Sequence, residues 1–170
     1  MLDSTKQNVV NSLLTLLDEK PMDDITISEL TQKAGISRMT FYRNYSSKED
    51  ILSEHFRDVL ARYKKDMGEK HGQGNYYDKK NIIHCFEYFY DQREFLESVI
   101  KRGFDYIFLS MVDKYIMKTW WKHGDGLQKA YCLHAFAGAL YNLYISWALN
   151  GYKETPEEMA DILESMKLVG

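Results

Sequence analysis

The densest set of side chains suited to chemistry lies in the run SRMTFYRNYSSK, from Ser37 to Lys48. Arg38, Met39, Thr40, Tyr42 and Arg43 mix cations, hydroxyls and an apolar tip within two helical turns, a mixture that suits a major groove and its phosphate walls. Arg38, Met39 and Thr40 are the candidates for base edges, with Ser37 opening the helix that carries them. From Leu30 to Lys48 the only charges are Lys33, Arg38, Arg43 and Lys48, and acids resume at Glu49. The positive patch is therefore local. Lys48 also stands where a helix begins, so backbone amides there add to its attraction for phosphate.

The elements that must hold this set can be read around it. Ser28 is placed to cap a helix carrying Leu30 and Ala34, and Gly35 follows where the chain needs a left-handed residue. Ile36 fills the wedge, and Ser37 caps a second helix, Arg38 to Asn44, whose inward positions are Phe41 and Tyr45. The two helices and their glycine turn make a helix-turn-helix, with the second helix as reader. Ser46 or Ser47, with Glu49 or Asp50 three residues on, forms a capping box that starts a further helix after Lys48.

These residues resemble the DNA-binding domain of the TetR family of bacterial transcriptional regulators. The resemblance rests on Thr26, on Ala34 with Gly35, on Ser37, on Phe41 with Tyr42, and on Ser47-Lys48-Glu49. It covers roughly the first third of the chain. Thr31, Arg43 and Asn44 depart from the family, which usually has alanine, tyrosine and histidine there. The resemblance implies that Tyr42 and Lys48 act as a phosphate-binding pair. Thr26 and Ser37 join Arg38, Met39, Thr40 and Arg43, nominated by their side-chain chemistry, as the expected DNA-facing residues, and the expected partner is double-stranded DNA with a palindromic operator.

Composition sets the bounds. The chain has 170 residues, a formal net charge of −3 and two prolines. The length allows one or two domains, and the helix formers favour an all-α fold. A net negative charge argues against a protein that coats nucleic acid generally. Indeed the first fifty residues hold six Lys+Arg against eight Asp+Glu, so DNA binding must come from the patch between Leu30 and Lys48. Two cysteines, Cys85 and Cys132, are too few for a disulfide framework and lack zinc or redox spacing, which fits a reduced, cytoplasmic setting. The start MLDSTKQN suggests no signal peptide. The most apolar stretch, Ala135 to Leu149, falls short of the ~20 residues a membrane span needs, so no membrane partner is expected.

In chain order, Ser4 or Thr5 starts a helix to about Glu19, with Val9, Leu13 and Leu16 on one face, and Pro21 ends it. With the helix-turn-helix it completes a three-helix DNA-binding domain over residues 1–48. Residues 49–170 form a helical regulatory and dimerisation domain, joined through a linking helix over about 47–67. A polar, glycine-bearing loop runs from about Met67 to Asp78. Helices follow over Ile82–Tyr90, Glu94–Lys101, Phe104 to about Lys122 and Leu127–Leu149. Thr155, Pro156 and Glu158 then start a last helix, giving about nine in total.

Nineteen of the twenty-four aromatic residues lie between Tyr76 and Tyr152. Core packing explains most of them, yet ring-lined hollows between helices also hold small apolar ligands. Phe86, Tyr90, Phe104, Phe108, Met111, Trp120 and Phe136 are the candidate lining for a small hydrophobic or aromatic effector. The Leu127–Leu149 helix is apolar nearly all round and so must be covered on two sides. A thick core of one chain would do this. So would a second subunit, and since TetR-like proteins usually dimerise through their last two long helices, the resemblance implies a homodimer with Leu140, Tyr144, Trp147, Met159, Ile162 and Met166 at its interface.

His84 with Cys85 and Cys132 with His134 are ligand types, but i and i+2 positions on a helix point ~200° apart, so structural burial is expected and no metal. No phosphate loop, serine elbow or HExxH pair appears, so neither an enzyme nor a cofactor is expected. The leading expectation is a sequence-specific, homodimeric DNA-binding regulator controlled by a small molecule. The alternatives are a TetR-like co-regulator acting through a protein partner, and a helical ligand-binding protein or enzyme with an incidental first domain.

Overall fold

The computed structural model describes residues 3–70 and 74–166. It contains nine α-helices and no strand among the described residues: α1 (Asp3–Glu19), α2 (Ile27–Ala34), α3 (Arg38–Asn44), α4 (Lys48–Lys70), α5 (Lys79–Asp91), α6 (Arg93–Lys101), α7 (Asp105–Trp120), α8 (Leu127–Leu149) and α9 (Pro156–Ser165). A 3-10 turn, Met22–Asp24, follows Pro21. The chain divides into two compact units, residues 1–59 and 60–170.

The first unit is built on one apolar stripe per helix. Val9, Val10, Leu13 and Leu16 of α1 meet Leu30 and Ala34 of α2, Phe41 of α3, and Ile51, Leu52 and Phe56 of α4, all buried. The spacing of these positions keeps each stripe on one face, so α1, α2, α3 and the start of α4 close around Phe41 and Phe56. Lys6 reaches Asp58 at 2.7 Å and ties α1 to this unit's part of α4.

The second unit is a helical bundle in which α7 packs along α8 and α5 along α9. Phe86, Phe89, Leu96, Val99, Phe108, Leu133, Phe136 and Tyr144 fill it. Tyr144 is 3% exposed. Its hydroxyl donates to the Phe89 carbonyl at 3.0 Å, which satisfies the one polar atom that its burial would strand. Desolvation raises the Tyr144 phenol well above the ordinary tyrosine value, with the neighbouring Tyr152 hydroxyl adding to it. Burial likewise pushes the Cys85 thiol up to about 12, so it stays a protonated core group.

Several sequence expectations change here. The cap of α2 is Thr26, not Ser28: Thr26 Oγ1 accepts the Glu29 N–H, and the Glu29 carboxylate accepts the Thr26 N–H, each at 3.2 Å. The linking helix α4 runs on to Lys70, three residues into the expected loop; residues 71–73 of that loop lie outside the described part. His134 is not buried but half-exposed, 2.5 Å from Asp113 on the neighbouring helix. His84 is buried, 3.0 Å from Asp66. No group of three metal-ligating side chains occurs among the described residues, and no described helix is long and apolar enough to cross a membrane.

The α8–α9 corner follows its sequence signals closely. Thr155 Oγ1 accepts the Glu158 N–H at 3.2 Å, and Glu158 accepts the Thr155 N–H at 2.7 Å, with Pro156 at the first helical position.

Candidate nucleic-acid interface

The reading face depends on how α2 ends. Gly35 adopts φ +67, where any side chain would be strained. In this conformation its N–H reaches the Gln32 carbonyl at 3.2 Å, and the Ile36 N–H reaches the Thr31 carbonyl at 3.0 Å. The chain is thereby turned and α3 can begin at once. Ser37 caps it, its Oγ accepting the Thr40 N–H at 3.1 Å. Phe41 points inward with no exposed surface, set edge-on to Tyr42 at 5.3 Å and tilted against Tyr45 at 5.7 Å.

With Phe41 and Tyr45 as its buried side, α3 turns the remaining side chains out. Met39 is 84% exposed and Tyr42 65%. Arg38 and Arg43 are also exposed, and Thr40 is half-buried. Met39 and Tyr42 thus stand on the outward side of α3 with the two arginines. Arg38 is steadied by α2: one guanidinium nitrogen donates to Ser28 Oγ at 2.7 Å. Ser28 is the residue the sequence reading misassigned as a cap, and its partnership with Arg38 crosses the turn where no sequence pattern announces it. Thr40 and Ser37 share a hydroxyl contact at 3.0 Å, so both hydroxyls sit beside the exposed start of α3.

Lys48 plays a part the sequence did not reveal. Its ammonium donates to the Ile25 carbonyl at 2.8 Å and also to the Met22 carbonyl. It thus ties the start of α4 to the segment that precedes α2. Three N–H donors leave one beyond these two. At the same corner Ser47 Oγ accepts the Asp50 N–H at 3.1 Å, and Asp50 accepts the Ser46 N–H at 3.0 Å. Ser47 thus caps α4, while Asp50 returns to Ser46, one residue before the cap, so the expected reciprocal capping box is not closed on Ser47 itself.

Two departures from the family sequence have local explanations. Thr31 is buried, and its hydroxyl donates to the Ile27 and Ser28 carbonyls at 2.8 and 3.1 Å, so an alanine position is filled without an unpaired polar group. Asn44 bonds back to the Thr40 carbonyl at 2.6 Å, closing the last turn of α3. Below the face, Lys20 pairs with Glu29 at 2.6 Å. That ammonium, then the Thr26 backbone, hold the Glu29 carboxyl down at about 2.

The residues expected to line an effector hollow are not brought together around one space. Phe108 packs against Phe89, Tyr141 and Tyr144, and Phe86 packs edge-on to Trp147. Trp120 and Phe136 border an interior void of about 30 Å³, and Tyr90 borders a separate open cleft of about 520 Å³. Phe86, Phe104, Phe108 and Met111 line neither. The expected interface residues also divide. Tyr144, Trp147 and Met159 are buried in this chain's own bundle: α8 turns Tyr144 and Trp147 toward rings of α5 and α7, and α9 buries Met159 on its own inner face; Leu140 is half-buried, while Ile162 and Met166 are 41% and 48% exposed.

Comparison with known proteins matches this geometry. Residues 11–54 match the family described as bacterial regulatory proteins, tetR family, and residues 78–167 match a transcriptional regulator C-terminal region of the same family series. The HTH-type dhaKLM operon transcriptional activator DhaS of Lactococcus lactis is 24% identical over 145 residues, 80% of this chain and 75% of that protein. Among solved structures, the fatty acid degradation regulator FadR of Bacillus halodurans superposes with a TM-score of 0.58 at 13% identity, covering 100% of this chain and 97% of that one. FadR of Bacillus subtilis, in complex with stearoyl-CoA, gives 0.51 at 15% identity, covering 96% and 97%.

Proposed function

The chain belongs to the TetR family of bacterial regulatory proteins, and we propose that it acts as a homodimer that reads a palindromic operator through α3 and changes its DNA affinity when its second unit is occupied. It is a DNA-binding transcriptional regulator by family. The observation that carries the finer reading is the outward face of α3: Met39, Tyr42, Arg38 and Arg43 stand exposed on a helix whose opposite side is locked by Phe41. Arg38, Met39 and Thr40 read base edges. Tyr42, Arg43 and the remaining N–H of Lys48 contact phosphates, with Thr26 and Ser37 at the flanking helix starts.

Dimerisation through α8 and α9 is supported by what those helices leave uncovered. Leu127, Tyr131 and Leu149 of α8 are 69%, 66% and 75% exposed, and Ile162 and Met166 of α9 are exposed as well. Large apolar side chains in that number on two adjacent helices fit a surface that a second copy covers. The regulator works in the cytoplasm, where its operator lies.

For effector control, α4 supplies the covalent route, since one unbroken helix starts in the first unit and ends in the second. A ligand biases DNA binding only if it prefers one helix arrangement over another. The stearoyl-CoA of the FadR complex does not carry over simply: the interior void here is about 30 Å³, room for one water. The ligand belongs instead in the open cleft beside Tyr90. A second reading, control by a protein co-regulator, draws on the same packed interior and on the exposed rings Tyr106 and Trp121. Fluorescence anisotropy with operator fragments, with and without added small molecules, separates the two.

A further inference from the structure

We propose that the cleft between α5 and the α8–α9 turn is a binding site for an organic cation, a quaternary or aromatic ammonium compound. It deepens the effector reading and rests on that reading only for its effect on DNA affinity. The cleft measures about 520 Å³, within the range of small-molecule sites. Four carboxylates line it, Asp66, Glu87, Asp91 and Glu154, together with His84, which lies 3.0 Å from Asp66, and no lysine or arginine does. Two guanidiniums stand at its margin, Arg62 at the Tyr88 hydroxyl and Arg93 over the Tyr90 ring, and the balance remains negative.

The other wall is aromatic. Tyr88, Tyr90 and Tyr152 present half-exposed rings to it, the last two with centroids 5.1 Å apart, and the buried Trp147 backs that pair at 5.6 Å from Tyr90 and 4.9 Å from Tyr152. Ring faces carry negative potential, so they attract a cation that has shed water, most of all one with a soft, methylated or aromatic charge. The chain already uses one ring in this way: the Arg93 guanidinium carbon lies 4.4 Å from the Tyr90 centroid.

The wall is held in place. Trp147 Nε1 donates to the Glu154 carbonyl at 3.0 Å, and the Tyr152 N–H donates to the Trp147 carbonyl at 2.9 Å. Tyr152 sits at φ +55, directly after Gly151 at φ +75. That conformation is sparsely populated for a bulky residue, and here it delivers the ring to Tyr90 and Trp147. Three other ligand classes fit worse. An anion would meet four carboxylates, a neutral apolar molecule would strip their water without replacing it, and a metal ion would need three converging ligands, a grouping absent among the described residues.

The test is isothermal titration of the full chain with benzyltrimethylammonium, benzyl alcohol and benzenesulfonate, at low and high sodium chloride. The cation is expected to bind once per chain and to weaken with salt, benzyl alcohol to bind at least ~10-fold more weakly, and benzenesulfonate not to bind. Tyr88→Leu, and separately the pair Glu87→Gln with Asp91→Asn, are expected to weaken the cation about 2- to 30-fold, with melting curves confirming the fold. These positions are exposed or half-exposed, so folding tolerates them. Equal affinity for benzyl alcohol, tighter binding of benzenesulfonate, unchanged affinity in both variants, or no heat from the cation in a chain that binds DNA would each overturn the assignment. Cation binding that leaves DNA affinity unchanged would refute effector control and leave the site standing.

Discussion

Replacing Lys48 by alanine separates two roles that the structure assigns to one ammonium. In the free protein it donates to the Met22 and Ile25 carbonyls, joining the start of α4 to the segment before α2. Hydrogen bonds from a charged donor each contribute about 1.5–3 kcal/mol when well shielded. Lys48 is only half-buried, so solvent screening brings the pair down to about 1–3 kcal/mol in total. Lys48→Ala should therefore lower the urea midpoint of the first unit, with an unchanged denaturant slope. If the lysine also meets a phosphate, the plot of log affinity against log salt, measured by anisotropy, should flatten by about 0.9. Lys48→Arg should restore most of that slope. A lower stability with an unchanged salt slope would make Lys48 a strut alone, and an unchanged stability would refute the strut.

Acidification offers a signed test at Glu29, whose carboxyl is held at about 2 by Lys20 and the Thr26 backbone. A depressed carboxyl contributes its stability above the unfolded value near 4.5 and loses it as pH falls toward 2, so Glu29→Gln should flatten the pH dependence in that window and leave it unchanged under milder acid. Tyr144→Phe removes the buried bond to the Phe89 carbonyl, and denaturant titration should show a loss of about 0.5–1.5 kcal/mol, because that carbonyl keeps the Gln92 N–H at 3.1 Å and is not left unpaired. Ile162→Glu places a charge on an exposed position of α9; sedimentation should show monomers with an intact helical spectrum, and a persisting dimer would move the interface elsewhere.

The first unit was legible because its signals are local. A glycine that must be left-handed, a serine that must cap and an aromatic that must point inward fix Gly35, Ser37 and Phe41 within a few residues. The same holds at Thr155, Pro156 and Glu158. What escaped depends on contacts far along the chain. Lys48 reaches back to Met22 and Ile25, and Arg38 crosses the turn to Ser28. Ser28 is a different case: the spacing Thr26-x-x-Glu29 is a capping-box signature that Ser28, with Thr31 three residues on, lacks, and the Glu29 carboxylate's return to Thr26 follows it.

In the second unit, ring density identified an aromatic bundle but not its empty space. The sequence cannot say whether Phe108 faces a hollow or three other rings, and packing resolved it in favour of the rings. For α8, apolar residues on all sides left open which face was internal. Tyr144 and Trp147 proved to be core, while Tyr131 and Leu149 remain outside. Of the cleft residues Tyr90 was expected to line a hollow, whereas Asp66 and Tyr152 come from distant segments and no sequence pattern joins them to it.

The central claim is that α3 reads DNA, and the most direct measurement is selection of bound sequences from a randomised pool, run in parallel on the unaltered chain and on Arg38→Ala, Met39→Ala and Thr40→Ala. The account predicts an inverted repeat with half-site centres ~34–36 Å apart or a multiple of that, and a changed base preference within the half-site for those substitutions. Enrichment of no sequence, or the same preference from all four proteins, would contradict it.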